Sequence, residues 1–182
     1  MNRRALRWCV VVVAATMIPL GLTACGVSGG NGSRHHIYQS LNELISDSTT
    51  IVEVVVEDQN TFAATDSTSA HTVSEAMVAT AAVPLGLALT NESSVLTPKV
   101  GSMISVRQLG EPGSRSDTPY LKGGGQYLLF LTPTMLPGAA SNEFYVTGGV
   151  AGIYEFNGDI YVRASKDGDR IPEELTVEEL TR

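Results

Sequence analysis

The apolar positions of this chain change period several times, and each change marks an element. Ile37, Leu41, Leu44 and Ile45 fall at i, i+4, i+7 and i+8, the stripe of a short amphipathic helix closed by Ser46-Asp47-Ser48. From Ile51 the period becomes two. Val52, Val54 and Val56 share one face and Glu53 and Glu57 the other, which predicts a half-exposed strand. His71 to Val83 mixes helix-favouring Ala and Met with strand-favouring Thr and Val before Pro84-Leu85-Gly86, and we read it as a strand. Met103 to Leu109 alternates again, while Gln126 to Thr132 is apolar on both faces and predicts a central strand. Strands are expected at Glu143 to Thr147, Val150 to Phe156 and Ile160 to Arg163. The last two are joined at Asn157-Gly158, a dipeptide suited to a hairpin turn with two positive φ angles. Thr176 to Leu180 predicts a short acidic helix. Asn60 to Ser69, Gly110 to Pro119 and Pro133 to Asn142 predict loops, and Leu87 to Val100 an irregular insertion.

Several strands, long loops, one early helix and no alternating βα units give a mainly β fold class. The expectation is a small antiparallel OB-like barrel with a short N-terminal and a short C-terminal helix, as a single domain over 37–182.

The residues before that domain follow a different logic. Arg3, Arg4 and Arg7 precede an apolar run from Trp8 to Leu22, fifteen residues with Pro19 near its end. A membrane-spanning helix needs about 20 residues, so the run reads as a signal-peptide core. It stops at Leu22-Thr23-Ala24-Cys25: an aliphatic residue, two small residues that let extended backbone enter a peptidase, and a thiol able to take a diacylglyceryl thioether. This segment resembles bacterial lipoprotein signal sequences. The resemblance implies removal of 1–24 by cleavage between Ala24 and Cys25, lipidation of Cys25, and membrane attachment by lipid alone. Residues 25–36 then form a Gly/Ser-rich tether. Gly26-Val27-Ser28-Gly29-Gly30 also matches the G-x-S-x-G pattern of serine hydrolases, but that motif needs a strand before it and a helix after it. Here a signal core precedes it and a tether follows.

A second resemblance spans Leu41 to about Val162. The succession of a helix, the Val-rich strand, a VRQ-type strand, Tyr127-Leu128-Leu129-Phe130-Leu131, Thr147-Gly148-Gly149 and Gly152 is similar to secreted bacterial proteins with TIMP-like or netrin-like OB-type barrels. It implies a fold more than a function. Tissue inhibitors of metalloproteinases depend on disulfides and a free N-terminal cysteine. With Cys9 lost and Cys25 acylated this chain offers neither, so that mechanism is not carried over.

Removing three arginines takes the formal charge from −7 to −10 over the remaining 158 residues (182 less 24). So acidic a chain is unsuited to nucleic acid, which demands clustered Lys and Arg. Loss of both thiols excludes thiol catalysis, zinc thiolates and redox sensing. No cofactor or metal set is apparent. His35 and His36 are adjacent and cannot share a metal from one helix face, His71 stands apart, and Asp167-Gly168-Asp169 lacks the later ligands of a calcium loop and reads as a surface turn. Glu53 and Glu57 read as solvated charges on a sheet edge. Gly123-Gly124-Gly125 does not precede a helix, so it is a turn, not a phosphate cradle. Tyr120, Tyr127, Tyr145, Tyr154 and Tyr161 alternate with core residues and read chiefly as packing. The functional expectation is a lipid-anchored extracytoplasmic binding or interaction module for an envelope protein or small ligand. An envelope hydrolase, which would need His71 near a buried carboxylate and a hydroxyl, and a purely structural envelope component are the alternatives.

Overall fold

The strand that begins at Thr50 continues for thirteen residues in the computed structural model, which describes residues 36–82, 98–113, 119–166 and 168–176. The strands are β1 (Thr50–Phe62), β2 (His71–Ala82), β3 (Met103–Leu109), β4 (Gln126–Pro133), β5 (Glu143–Val146), β6 (Ile153–Asn157), β7 (Ile160–Arg163) and β8 (Glu174–Leu175). The helix α1 (Leu41–Asp47) precedes them. β1 pairs antiparallel with β2, and β2 with β3. β3 pairs parallel with β5, β5 antiparallel with β4, and β4 antiparallel with β1. The five strands therefore close into an OB-like barrel, and β6, β7 and β8 extend from β4 as a side sheet.

Two apolar clusters follow from the pleat of β4. Tyr127, Leu129 and Leu131 point into the barrel with Val52, Val54, Val56 and Phe144. Leu128 and Phe130 point outward, where Leu44 of α1, Tyr38, Tyr154 and Ile171 cover them. Successive side chains of a strand alternate between faces, so this one strand supplies both cores. Each fully buried leucine contributes roughly 1.5–3 kcal/mol through the area it removes from water. Polar side chains finish one end of the barrel. Gln59 donates to Ser74 Oγ (3.0 Å) and the Leu121 carbonyl (2.6 Å), while Gln108 donates to the Pro119 carbonyl (3.0 Å) and accepts from the Leu121 N–H (3.0 Å). These amides satisfy the backbone of a segment that lays Leu121 into the core, as buried polar groups require.

The structure corrects several expectations. The helix begins at Leu41, not at Ile37, because Ser40 is its N-cap: the Ser40 hydroxyl accepts from the Glu43 N–H (3.3 Å) and the Glu43 carboxylate accepts from the Gln39 N–H (2.7 Å). Ile37 is left outside and exposed, and Ser46 and Asp47 are helical. β1 runs through Asn60, Thr61 and Phe62 into what reads from the sequence as loop, held by pairing to β2. The strand expected from Val150 starts at Ile153, because Gly148 and Gly149 adopt positive φ and the chain turns tightly through Gly152. The hairpin turn is Gly158-Asp159, one residue later than expected: Asn157 pairs with Ile160, and only Gly158 has positive φ. A turn with glycine first needs just that one angle. β8 has no counterpart in the expected elements. Of the C-terminal helix expected at Thr176 to Leu180, Thr176 is not helical and 177–180 lie outside the described residues, as do 87–97 of the expected insertion.

Gly148 carries the tightest constraint: φ is +67°, and a Cβ there would sit 2.4 Å from the ring of buried Tyr38. Gly158, at φ +76°, faces open space. Gly158→Ala is expected to cost about 1–2 kcal/mol from the backbone alone. Gly148→Ala adds overpacking of about 1–3 kcal/mol. Denaturant melts of the two variants check this, and equal losses would contradict the Tyr38 contact.

Candidate interaction face

The lipobox Leu22 to Cys25, the Gly26 to Gly30 stretch, His35 and Asp167 lie outside the described residues. The other predicted positions are dispersed. His36 lies 2.8 Å from Glu43 on the surface of α1. His71 is on β2, its Nδ1 3.0 Å from the Ser69 carbonyl oxygen and its ring stacked on Phe62 at 4.9 Å; no carboxylate partners it among the described residues. Asp169 is not a surface turn. It is buried, and its carboxylate accepts the Tyr38 N–H at 2.8 Å, tying the domain's entry to the β7–β8 connection. Gly123 to Gly125 form a turn whose backbone bonds Val56, through Gly124 N–H to the Val56 carbonyl (2.7 Å) and Val56 N–H to the Gly125 carbonyl (2.9 Å).

Glu53 and Glu57 part company. β1 is paired on both sides at Glu53, so Glu53 is not an edge charge. Its carboxylate accepts from the Tyr161 hydroxyl at 2.6 Å, and Gln126 donates to the same hydroxyl at 3.2 Å. Burial and then the bond to Glu53 push Tyr161 up to about 12. Glu57 occupies a bulge: Val56 pairs with Ala76, and the next paired residue of β1 is Asp58, opposite Glu75. Tyr120, Tyr127, Tyr154 and Tyr161 are buried, as packing residues are, and Tyr145 is half-buried on the barrel's outer wall. Tyr154, which donates to the Pro172 carbonyl (2.9 Å), is also pushed up to about 12 by burial.

The most distinctive surface is one sequence reasoning missed, the outer wall of β1, β2, β3 and β5. Cross-strand partners place side chains on the same side, and Ala76, Val78, Ile104 and Val106 face inward. The outward residues therefore form rows. Val55, Met77 and Met103 make an apolar row. Asp58, Glu75, Ser105 and Glu143 make the next, three carboxylates and one hydroxyl. Asn60, Val73, Arg107 and Tyr145 follow, then Phe62, His71 and Leu109. Arg107 is committed to Glu143 by a two-pronged ion pair whose Nη2–Oε1 contact is 3.2 Å. Ser105 Oγ donates to the Glu75 carboxylate, at 2.9 and 3.0 Å from its two oxygens. Among the described residues Asp58 accepts from its neighbours alone, the Gln59 N–H (2.8 Å) and the Asn60 amide (3.4 Å). Among the described residues neither Asp58 nor Glu75 has a cationic partner.

Beyond the Ser105–Glu143 pair, β3 and β5 diverge around an open cleft of about 260 Å³ lined by Pro98, Met103, Ser105, Asn142 and Phe144 among others. Methionine is usually buried, yet Met77, Met103 and Met135 are 39%, 49% and 85% exposed. Two of these three sit in the apolar row. The wall thus sets flexible apolar side chains beside carboxylates that no cation neutralises among the described residues.

Comparison of the chain with protein-family models, with curated proteins and with solved structures gives no significant match.

The Glu53–Tyr161 bond is measurable. Tyr161 is expected to titrate about two units above an ordinary tyrosine near 10. Since its folded pKa is raised, its contribution to stability is complete below about pH 10 and is lost as the pH rises through about 12. Glu53→Gln should move one phenolate transition, followed by ultraviolet difference absorbance, toward lower pH. An unchanged titration curve would contradict the bond.

Proposed function

We propose that this chain is a lipid-anchored protein of the extracytoplasmic face of the cell membrane, whose OB-like barrel serves as an interaction module. The observation that carries the reading is Leu22-Thr23-Ala24-Cys25 at the end of a fifteen-residue apolar run behind Arg3, Arg4 and Arg7. Each position has a chemical reason: charge to orient the segment, a core too short for a lasting span, small residues before the scissile bond, and a thiol to acylate. Among the described residues no helix is long and apolar enough to cross a membrane. Attachment would rest on the lipid, and two acyl chains give stable anchoring at about 0.8 kcal/mol per buried CH₂ where one chain is marginal.

The module reading is supported by the wall of β1, β2, β3 and β5. An OB-like barrel holds its ligands on strands and connecting loops over a rigid core, and this wall exposes methionines beside carboxylates on such a core. From the resemblance to TIMP-like and netrin-like domains the reading takes architecture alone.

Mass spectrometry of the mature N-terminus from the native membrane tests the anchor. The expected result is a chain beginning at Cys25 with a diacylglyceryl group, and Cys25→Ser should give an uncleaved precursor. A free, unmodified Cys25, or a Cys25→Ser protein cleaved and retained in the membrane as before, would sink the proposal.

A further inference from the structure

We infer that the outer wall of β2 and β3 docks a cationic polypeptide segment, lysine or arginine side chains alternating with apolar ones; this deepens the interaction-module reading and rests on it. The first observation is the apolar pair. Met77 and Met103 are direct cross-strand partners, both exposed, and Met103 also lines the cleft between β3 and β5. Unbranched, polarisable side chains adapt their shape to an incoming apolar group, which is why methionine recurs at binding surfaces.

The second observation is charge. Asp58 and Glu75 lie directly opposite on adjacent strands, an arrangement that is destabilising for like charges. The bulge at Glu57 breaks the alternation of β1 and sets Asp58, in place of Glu57, on the outer face opposite Glu75. The nearby cation, Arg107, is spent on Glu143. One row away from an apolar pair, two unneutralised carboxylates complement a long cationic side chain, its stem over the methionines and its head between Asp58 and Glu75. No group of three or more His, Cys, Asp or Glu among the described residues is arranged to hold a metal ion, which favours a side-chain cation over a bound metal. An anionic bilayer surface would be repelled by the same row.

The test uses the mature lipidated protein in neutral detergent. Its probe is a fluorescent peptide alternating lysine and leucine, with a glutamate–leucine peptide as counterpart, read by anisotropy. The lysine peptide should bind, weakening as salt shortens the Debye length from about 10 Å at 0.1 M, and the glutamate peptide should not. Glu75→Gln and Asp58→Asn should each weaken binding about tenfold, and Met103→Ser comparably. Glu75→Gln should leave the melting temperature equal or higher, since it relieves repulsion, a result a merely structural glutamate would not give. Glu155→Gln, an exposed acid on β6, should change nothing.

Equal binding of both peptides, or wild-type binding by the Glu75 and Asp58 variants, overturns the docking wall while leaving the module reading in place. Binding of neither peptide overturns it too, and the module reading is then judged separately by cross-linking the anchored protein in its envelope. Calcium that raises the melting temperature of the wild type but not of Glu75→Gln would assign the carboxylates to a metal. Self-association lost in Glu75→Gln would assign the wall to a second copy. Adhesion to anionic vesicles lost in Met103→Ser would assign it to lipid. Each of these contradicts the inference.

Discussion

Everything in this domain hangs from β4, a strand buried on both faces. Leu129 and Leu131 fill the barrel, Leu128 and Phe130 fill the space under α1, and the backbone between them pairs with β1, β5 and β6. Pairing to β1 and β5 closes the ring, so the barrel's strands cover one another's edges without disulfides. Pairing to β6 carries the side sheet. The outer cluster fixes the point where the chain enters the domain, since Tyr38 packs there and its backbone bonds Asp169 and Arg170. The same strand that seals the core thus also holds Tyr38, near the start of the described residues, against the barrel.

Against that rigid frame the outer wall of β2 and β3 behaves differently. Several polar side chains of the frame are answered: the amides of Gln59 and Gln108 hold the segment that closes the barrel, and Tyr161 shares its hydroxyl between Glu53 and Gln126. On the wall, a like-charged pair and two exposed methionines remain. Local rules of stability are broken most often where a protein binds or reacts. The barrel can tolerate this because neither Asp58 nor Met103 belongs to the clusters that hold it together.

Much of the fold was legible in the sequence and little of the wall. Alternation at Val52, Val54 and Val56 and the two-faced run at Leu128 to Leu131 report burial directly, because burial is what sets the period of a strand. Ser40 was legible in principle, since Ser-x-x-Glu is a capping signature, and using it would have started the helix at Leu41. The wall depends on register. Simple alternation from Val56 puts Glu57 on the outer face, whereas the bulge puts Asp58 there opposite Glu75, and a bulge is decided by pairing between strands remote from any local pattern. Outward residues of Met103-Ile104-Ser105-Val106-Arg107 could be listed from their period, but their neighbours on β2 and β5 could not. Asp169 was misread for a similar reason, because its partner, the Tyr38 N–H, is 131 residues away.

β4 unites both cores, and the rest of the domain is built onto it. Native-state hydrogen exchange of the mature protein measures this most directly, since amides released only by global unfolding mark the structural centre. The amides of Leu128 to Leu131 and their partners on β1 should be the slowest, exchanging together at the free energy of global unfolding, with the distal β1–β2 hairpin faster. Exchange of β4 ahead of that hairpin, or by a separate opening from β1, would contradict it.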